Sequence, residues 1–194
     1  MQGYAREAPD LLKLYESIPF EKTHTAALRL LPPPRRLLDI GAGTGRDAAG
    51  FAARGYDVVA TEPVDEMRRG AMALHPDPRI EWLNDSLPEL AGLCRRKDRF
   101  DIVMITAVWM HLDDRERRCG MANVASLMRR GGVLVLTLRY GPVPPGRRMF
   151  EVSTRETIAL ARARGLVLLL KRDTPTLLKR AQPVAWKRLA FRKL

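Results

Sequence analysis

Apolar residues along this chain fall into short runs separated by stretches in which they recur every three or four positions. Leu37, Leu38 and Ile40, then Asp57 to Thr61, Ile80 to Leu83 and Phe100 to Ile105, are too short for helices, and the first three are followed by Gly41, Glu62-Pro63 and Asn84-Asp85. Such runs are expected of strands buried on both faces of a parallel sheet. Val133 to Leu138, Leu166 to Lys171 and Val184 to Phe191 supply three more. The intervening segments carry helix signals. Arg46 to Arg54 has helical spacing and is stopped by Gly55, and Asp65 caps a helix to about Leu74. Asp113-x-x-Glu116 opens a helix with Arg129-Arg130 at its far end and Gly131-Gly132 as its stop, and Ser153-x-x-Glu156 opens another closed by Gly165. Ahead of the first strand, Leu11, Leu12, Leu14, Tyr15 and Ile18 form one helical stripe, Pro19 breaks it, and Thr23 to Leu31 forms a second piece ended by Pro32-Pro33-Pro34. The expectation is an α/β fold of five βα units followed by a two-strand hairpin.

The chemistry concentrates in Asp39-Ile-Gly41-Ala-Gly43-Thr-Gly45, where the first strand turns into the first βα helix. Glycine at alternate positions lets backbone approach a ligand closely, and the helix N-terminus offers free N–H groups. A dinucleotide fingerprint wants Gly or Ala where Arg46 stands, and a P-loop wants Gly-Lys-Ser/Thr where Gly45-Arg46-Asp47 stands. Asp47 also places negative charge where a phosphate would sit.

An acidic residue, one spacer and Gly-x-Gly-x-Gly resembles the first motif of class I S-adenosylmethionine (SAM) methyltransferases, position for position. The resemblance implies a Rossmann-like, seven-stranded, mostly parallel sheet of order 3-2-1-4-5-7-6, with the last strand antiparallel and helices on both faces. It also implies SAM as cofactor, with Gly41, Ala42, Gly43, Thr44 and Gly45 around its methionyl part and Asp39 holding its ammonium. Glu62-Pro63, at the tip of the second strand, suits the ribose hydroxyls. Asp85 at the end of the third strand would accept from the adenine amine, with Ser86 or Leu87 offering a backbone N–H; its competing role is to cap the turn at Pro88.

The fourth strand ends in Thr106-Ala107-Val108-Trp109, expected to face the cofactor. It is not the Asn/Asp-Pro-Pro-aromatic tetrapeptide of exocyclic-amine base methyltransferases, and no Pro-Cys pair stands there for covalent attack on a pyrimidine. His111 is a candidate base for a hydroxyl or amine, or alternatively a structural residue bonded to a neighbouring carbonyl. Substrate candidates are Tyr15 and His24 in the helical lead-in, with Tyr4 beside them, and Arg139, Tyr140, Arg147 and Arg148 at and beyond the fifth strand.

Composition sharpens the partner question. At 194 residues and 46% hydrophobic content one domain is expected, with a helical lead-in over residues 1–34 and the Rossmann-like core over 35–194. No apolar run approaches the roughly 20 residues that span a bilayer, so a cytoplasmic protein without membrane contact is expected. Cys94 and Cys119 stand apart from each other and from any His cluster, which indicates neither a disulfide framework nor a metal site. The net charge of +12 is uneven: residues 1–117 carry −2 and residues 118–194 carry +14. The expected substrate is a small molecule methylated at O or N. The alternatives are RNA or another polyanion held along Arg129-Arg130, Arg147-Arg148, Lys171-Arg172, Lys179-Arg180 and Lys187-Arg188, a protein substrate, or a catalytically silent SAM-binding module. Oligomeric state is not legible.

Overall fold

A computed structural model describes residues 2–178 and 183–194. Seven strands form one sheet: β1 (Arg36–Ile40), β2 (Asp57–Thr61), β3 (Ile80–Leu83), β4 (Phe100–Ile105), β5 (Met128–Tyr140), β6 (Leu166–Thr174) and β7 (Ala185–Lys193). Their order is β3-β2-β1-β4-β5-β7-β6, with β7 antiparallel to both neighbours, as the resemblance implies. The helices are α1 (Gln2–Glu16), α2 (Phe20–Leu28), α3 (Arg46–Ala52), α4 (Asp65–Leu74), α5 (Ala91–Arg96), α6 (Asp114–Leu127) and α7 (Thr154–Arg162).

Period-two alternation divides the strands between two cores. Leu37, Val58, Ile102, Met104, Val133, Val135 and Ala190 face one way, against Phe20 and Ala27 of α2 and Ala48, Phe51 and Ala52 of α3. Leu38, Ile40, Val103, Ile105, Leu134, Leu136 and Leu189 face the other, against Leu93 of α5, Met121 and Val124 of α6 and Ala161 of α7. A smaller cluster joins Ala8 and Leu11 of α1 to Val64 and Met67, which seats α1 on α4 above the strand ends.

Several boundaries differ from the sequence expectation. The second helix begins at Phe20, because Pro19 serves as its extended preceding residue and Phe20 is buried. Asp65 is not a cap: Val64 holds that position, and the Asp65 carboxylate pairs with Arg68 and Arg69 instead. The helix opened by the Asp113 and Glu116 capping box stops at Leu127, not at Gly131-Gly132. Met128 is already extended and pairs with Phe100, and pairing resumes at Val133 opposite Ile102, so Arg129 to Gly132 bulge out of the strand. β5 then runs on to Tyr140, which places Arg139 and Tyr140 in the sheet and not in a loop.

One sheet face changes character toward the C-terminal ends of the parallel strands. Above Leu37 comes Asp39, above Met104 comes Thr106, and above Val135 come Thr137 and Arg139; on antiparallel β7, Arg188 and Trp186 follow Ala190. This polar row is where the crevice opens.

Candidate functional site

The crevice has a volume of about 870 Å³ and lies over the strand ends beneath α1. That location is the one open α/β sheets use for ligands, outside the carboxyl ends of the strands where the order reverses. Among the expected site residues, Asp39, Gly41, Ala42, Gly43, Thr44, Glu62, Pro63, Ser86 and Leu87 line it, as do Thr106, Ala107, Val108, His111, Tyr15, Arg139 and Arg147.

The acidic side is built on β1 and β2. Asp39 is 1% exposed, and its Oδ2 has no hydrogen-bond partner among the described residues. Burial pushes its carboxyl well above the usual range, and the nearby Asp47 carboxylate pushes the same way. Asp47, which sequence reasoning noted only as repelling phosphate, is also buried in the crevice wall. It meets His24 Nε2 at 2.8 Å and Arg46 Nη2 at 2.7 Å. Burial works to raise its carboxyl, but the contacts with His24 and Arg46 outweigh it and hold the group far below the usual range. Two neighbouring carboxyls are thus driven apart, one kept charged and the other pushed toward neutrality. Glu62 ties the glycine turn to β2: its Oε2 accepts from Gly43 N at 2.9 Å and its Oε1 from Val64 N at 2.9 Å. Burial raises its carboxyl, partly offset by those bonds.

The Thr106 to Val108 turn is held from β5, where Thr137 Oγ1 accepts from Ala107 N at 2.8 Å. Ala107 has φ +58°, a left-handed conformation a non-glycine residue rarely adopts, and such strain clusters at functional sites. His111 donates from Nδ1 to the Arg148 carbonyl at 2.7 Å, which leaves Nε2 as the acceptor for the Tyr4 hydroxyl at 3.1 Å. Burial holds the imidazole below the ordinary histidine value, although the Arg148 carbonyl bond opposes this. Tyr4 is pushed up to about 12, chiefly by burial, so its phenol stays protonated and donates.

Four expected site residues lie elsewhere. His24 is fully buried between Phe20 and Phe51, because α2 turns it inward onto Asp47. Asp85 is absent from the crevice wall; its Oδ1 accepts from Ser86 N and its Oδ2 from Leu93 N, so it ties the preceding loop to the first turn of α5. Tyr140 alternates to the opposite face from Arg139 and bonds Thr154 Oγ1 at 2.6 Å. Gly45 is also outside the crevice: a Cβ there would sit 2.9 Å from Trp82 Cη2, and its φ is +83°. Gly45→Ala is therefore expected to cost roughly 1–2 kcal/mol of backbone strain plus the Trp82 collision, while folded protein still binds the cofactor; denaturant unfolding with and without S-adenosylhomocysteine checks both.

The basic pairs do not form one face among the described residues. Arg129 and Arg130 lie at the start of β5, the end of the sheet away from the crevice, whereas Arg147 and Arg148 lie in the loop beyond its other end. Arg147 is bound to Glu7, Arg148 to Glu116 and Asp113, and Lys187 to Asp173, while Arg188 is buried. Lys179-Arg180 lies outside the described residues.

Residues 37–132 match the family model described as a methyltransferase domain. The mouse glycine N-methyltransferase is 28% identical over 143 residues, covering 61% of this chain and 47% of that one. The demethylmenaquinone methyltransferase of Clavibacter sepedonicus is 30% identical over 119 residues, covering 60% and 46%. The chain thus spans about half the length of the curated relatives it matches. In fold it is similar to the 1,6-didemethyltoxoflavin-N1-methyltransferase of Burkholderia thailandensis, solved with S-adenosylhomocysteine, at a TM-score of 0.75 and 20% identity over 99% of this chain and 86% of that one. The residues present fit such a ligand: the unpartnered Asp39 oxygen could accept from a cationic amino-acid end, and Gly43 leaves open space beside it. With fold, motif and comparisons in agreement, the chain belongs to the class I methyltransferases that use S-adenosylmethionine as cofactor.

Proposed function

We propose that this chain transfers a methyl group to an oxygen or nitrogen nucleophile of a small molecule, with residues 1–34 as a helical cover on the 35–194 core. The observation that carries this reading is the clasp between α1 and the loop after β5. Arg147 lies over the Tyr4 ring at 3.8 Å and bonds Glu7 Oε2 at 2.5 Å, while Tyr4 bonds His111. A roofed crevice of about 870 Å³ is in the range of small-molecule sites, and a polymer track would need an open basic face. The relatives named for glycine, demethylmenaquinone and didemethyltoxoflavin support the same class of acceptor.

When bound, S-adenosylmethionine supplies a methyl on a sulfonium, an activated donor, so the protein mainly holds and aligns an acceptor. Asp39 would hold the ammonium, and the free lone pairs of Glu62 the ribose hydroxyls. Ser86 and Leu87 would border the adenine, and Thr106 to Val108 would wall the reacting centre. Tyr15, Arg139 and Arg147 would face the acceptor. His111 is the base: it lines the crevice, its Nε2 lone pair accepts from Tyr4 in the neutral form, and displacing the Tyr4 hydroxyl frees it to take the acceptor's proton.

His111→Gln should lower kcat by roughly 10²- to 10⁴-fold if the base acts in the rate-limiting step, with S-adenosylhomocysteine affinity unchanged. Because the imidazole must be neutral and its pKa is lowered, wild-type kcat should fall only as pH drops below the ordinary histidine value. That acid limb should vanish in the variant. A variant profile that keeps it would remove His111 as the base.

A further inference from the structure

Arg188 sits on β7, is 4% exposed, and lines the crevice. Among the described residues it makes no hydrogen bond or ion pair, and its Nε is buried without an acceptor. Its register neighbours are Thr137 on β5 and Arg172 on β6, neither of which is acidic. The carboxylate whose field reaches it is Asp47, already committed to His24 and Arg46. One step further along the same face is Arg139, 7% exposed, whose guanidinium donates to the Gly141 and Pro142 carbonyls.

The crevice is therefore acidic at β1 and β2 and cationic at β5 and β7. A buried guanidinium without a counter-ion is destabilising unless something supplies one. Its planar fork matches a carboxylate bidentately, and a single uncompensated charge suits a monoanion. The glycine turn is on β1, three strands from β7, on the order of 14 Å at ordinary strand spacing. That separation puts Arg188 on the acceptor's side of the crevice.

We propose that Arg188 binds a carboxylate of the methyl acceptor, so that the substrate is a small organic acid. This rests on the methyl-transfer reading above and adds the substrate class to it. Arg188 was invisible as a site residue in the sequence because it reads as one of several basic pairs; the available signal was a charge at the inward position of the alternation Trp186, Arg188, Ala190.

The test is transfer of labelled methyl from SAM to a deproteinised cell extract split on an anion exchanger at neutral pH. Label is expected in the retained fraction, is expected to be lost after carbodiimide and methylamine convert carboxylates to amides, and is expected to survive phosphatase. Arg188→Gln should raise the KM for the retained fraction at least tenfold with S-adenosylhomocysteine affinity within twofold of wild type, and Arg188→Lys should recover part of the loss. Arg188→Met should unfold at the same or a higher temperature than wild type, since an unpaired charge is removed; a lower melting temperature for the folded variant would mark Arg188 as structural and overturn the proposal. Label confined to the unretained fraction, loss on phosphatase treatment alone, or lost S-adenosylhomocysteine binding in Arg188→Gln would each overturn it as well. Failure of the wild type to bind S-adenosylhomocysteine would instead remove the methyl-transfer reading beneath it.

Discussion

Gly43→Val is expected to abolish SAM binding while leaving a folded protein. A Cβ built on Gly43 meets no protein atom within 4 Å, and Gly43 lines the crevice, so a side chain there occupies ligand space without disturbing the core. The backbone has φ +58°, which costs a residue with a Cβ roughly 1–2 kcal/mol, so the melting temperature should fall by several degrees. Gly43→Ala carries the same backbone strain with a smaller group. Calorimetric titration with S-adenosylhomocysteine should show at least a tenfold loss for Ala and no measurable binding for Val, at similar melting temperatures. Equal, small losses for both would mean that the ligand does not approach this turn. Gly45, two residues on and buried against Trp82, serves as the internal contrast, because its substitution strains packing instead of filling the crevice.

Asp39→Asn is expected to weaken SAM binding by more than tenfold and, at neutral pH, to make the ligand-free protein more stable. The carboxyl is buried and lies beside Asp47, so its pKa in the folded chain is raised above the unfolded value. A raised carboxyl pKa means that its favourable contribution to stability is fully present below the unfolded value of roughly 3.9 and is lost as pH rises through the folded value. At pH 7 the wild type therefore carries a penalty that the neutral amide lacks. The two proteins should converge in stability toward pH 4 and separate as pH increases. Binding runs the other way: a ligand ammonium pairs with the ionised carboxyl, so wild-type affinity should climb with pH through the folded pKa, and the variant's should not. Melting curves and titrations over the same pH series measure both. A variant less stable than wild type at pH 7 would show that Asp39 supports the fold and not the ligand.

Asp47 shows why the pair is arranged this way. His24 and Arg46 keep it charged, and its negative field then raises Asp39. The helical lead-in thus reaches the site through the core, by His24 beneath α3, as well as over the top, by Tyr4 and Glu7. Sequence reading placed His24 at the ligand because a histidine on an amphipathic helix carries no mark of which neighbour it meets.

Local pattern was enough for much of this protein. Three glycines after an acidic strand end allow positive φ at little steric cost, and Gly41, Gly43 and Gly45 all adopt it. Short apolar runs bounded by breakers bury both faces of a strand, and the resemblance carried by Asp39 to Gly45 supplied the strand order. Contacts made by chemistry-bearing side chains were decided elsewhere. Asp85 could cap the turn at Pro88 or face the crevice until α5 was seen to put Leu93 N within 3.0 Å of it. Tyr140 and Arg139 are adjacent in sequence yet separate onto opposite faces once β5 is known to run through both. Arg188 becomes a site residue only when antiparallel β7 docks beside β5 and sets it opposite Thr137. The division has one physical cause: backbone conformation depends on a residue and its immediate neighbours, whereas burial, charge pairing and the direction a side chain faces depend on segments distant in sequence that the sheet brings together.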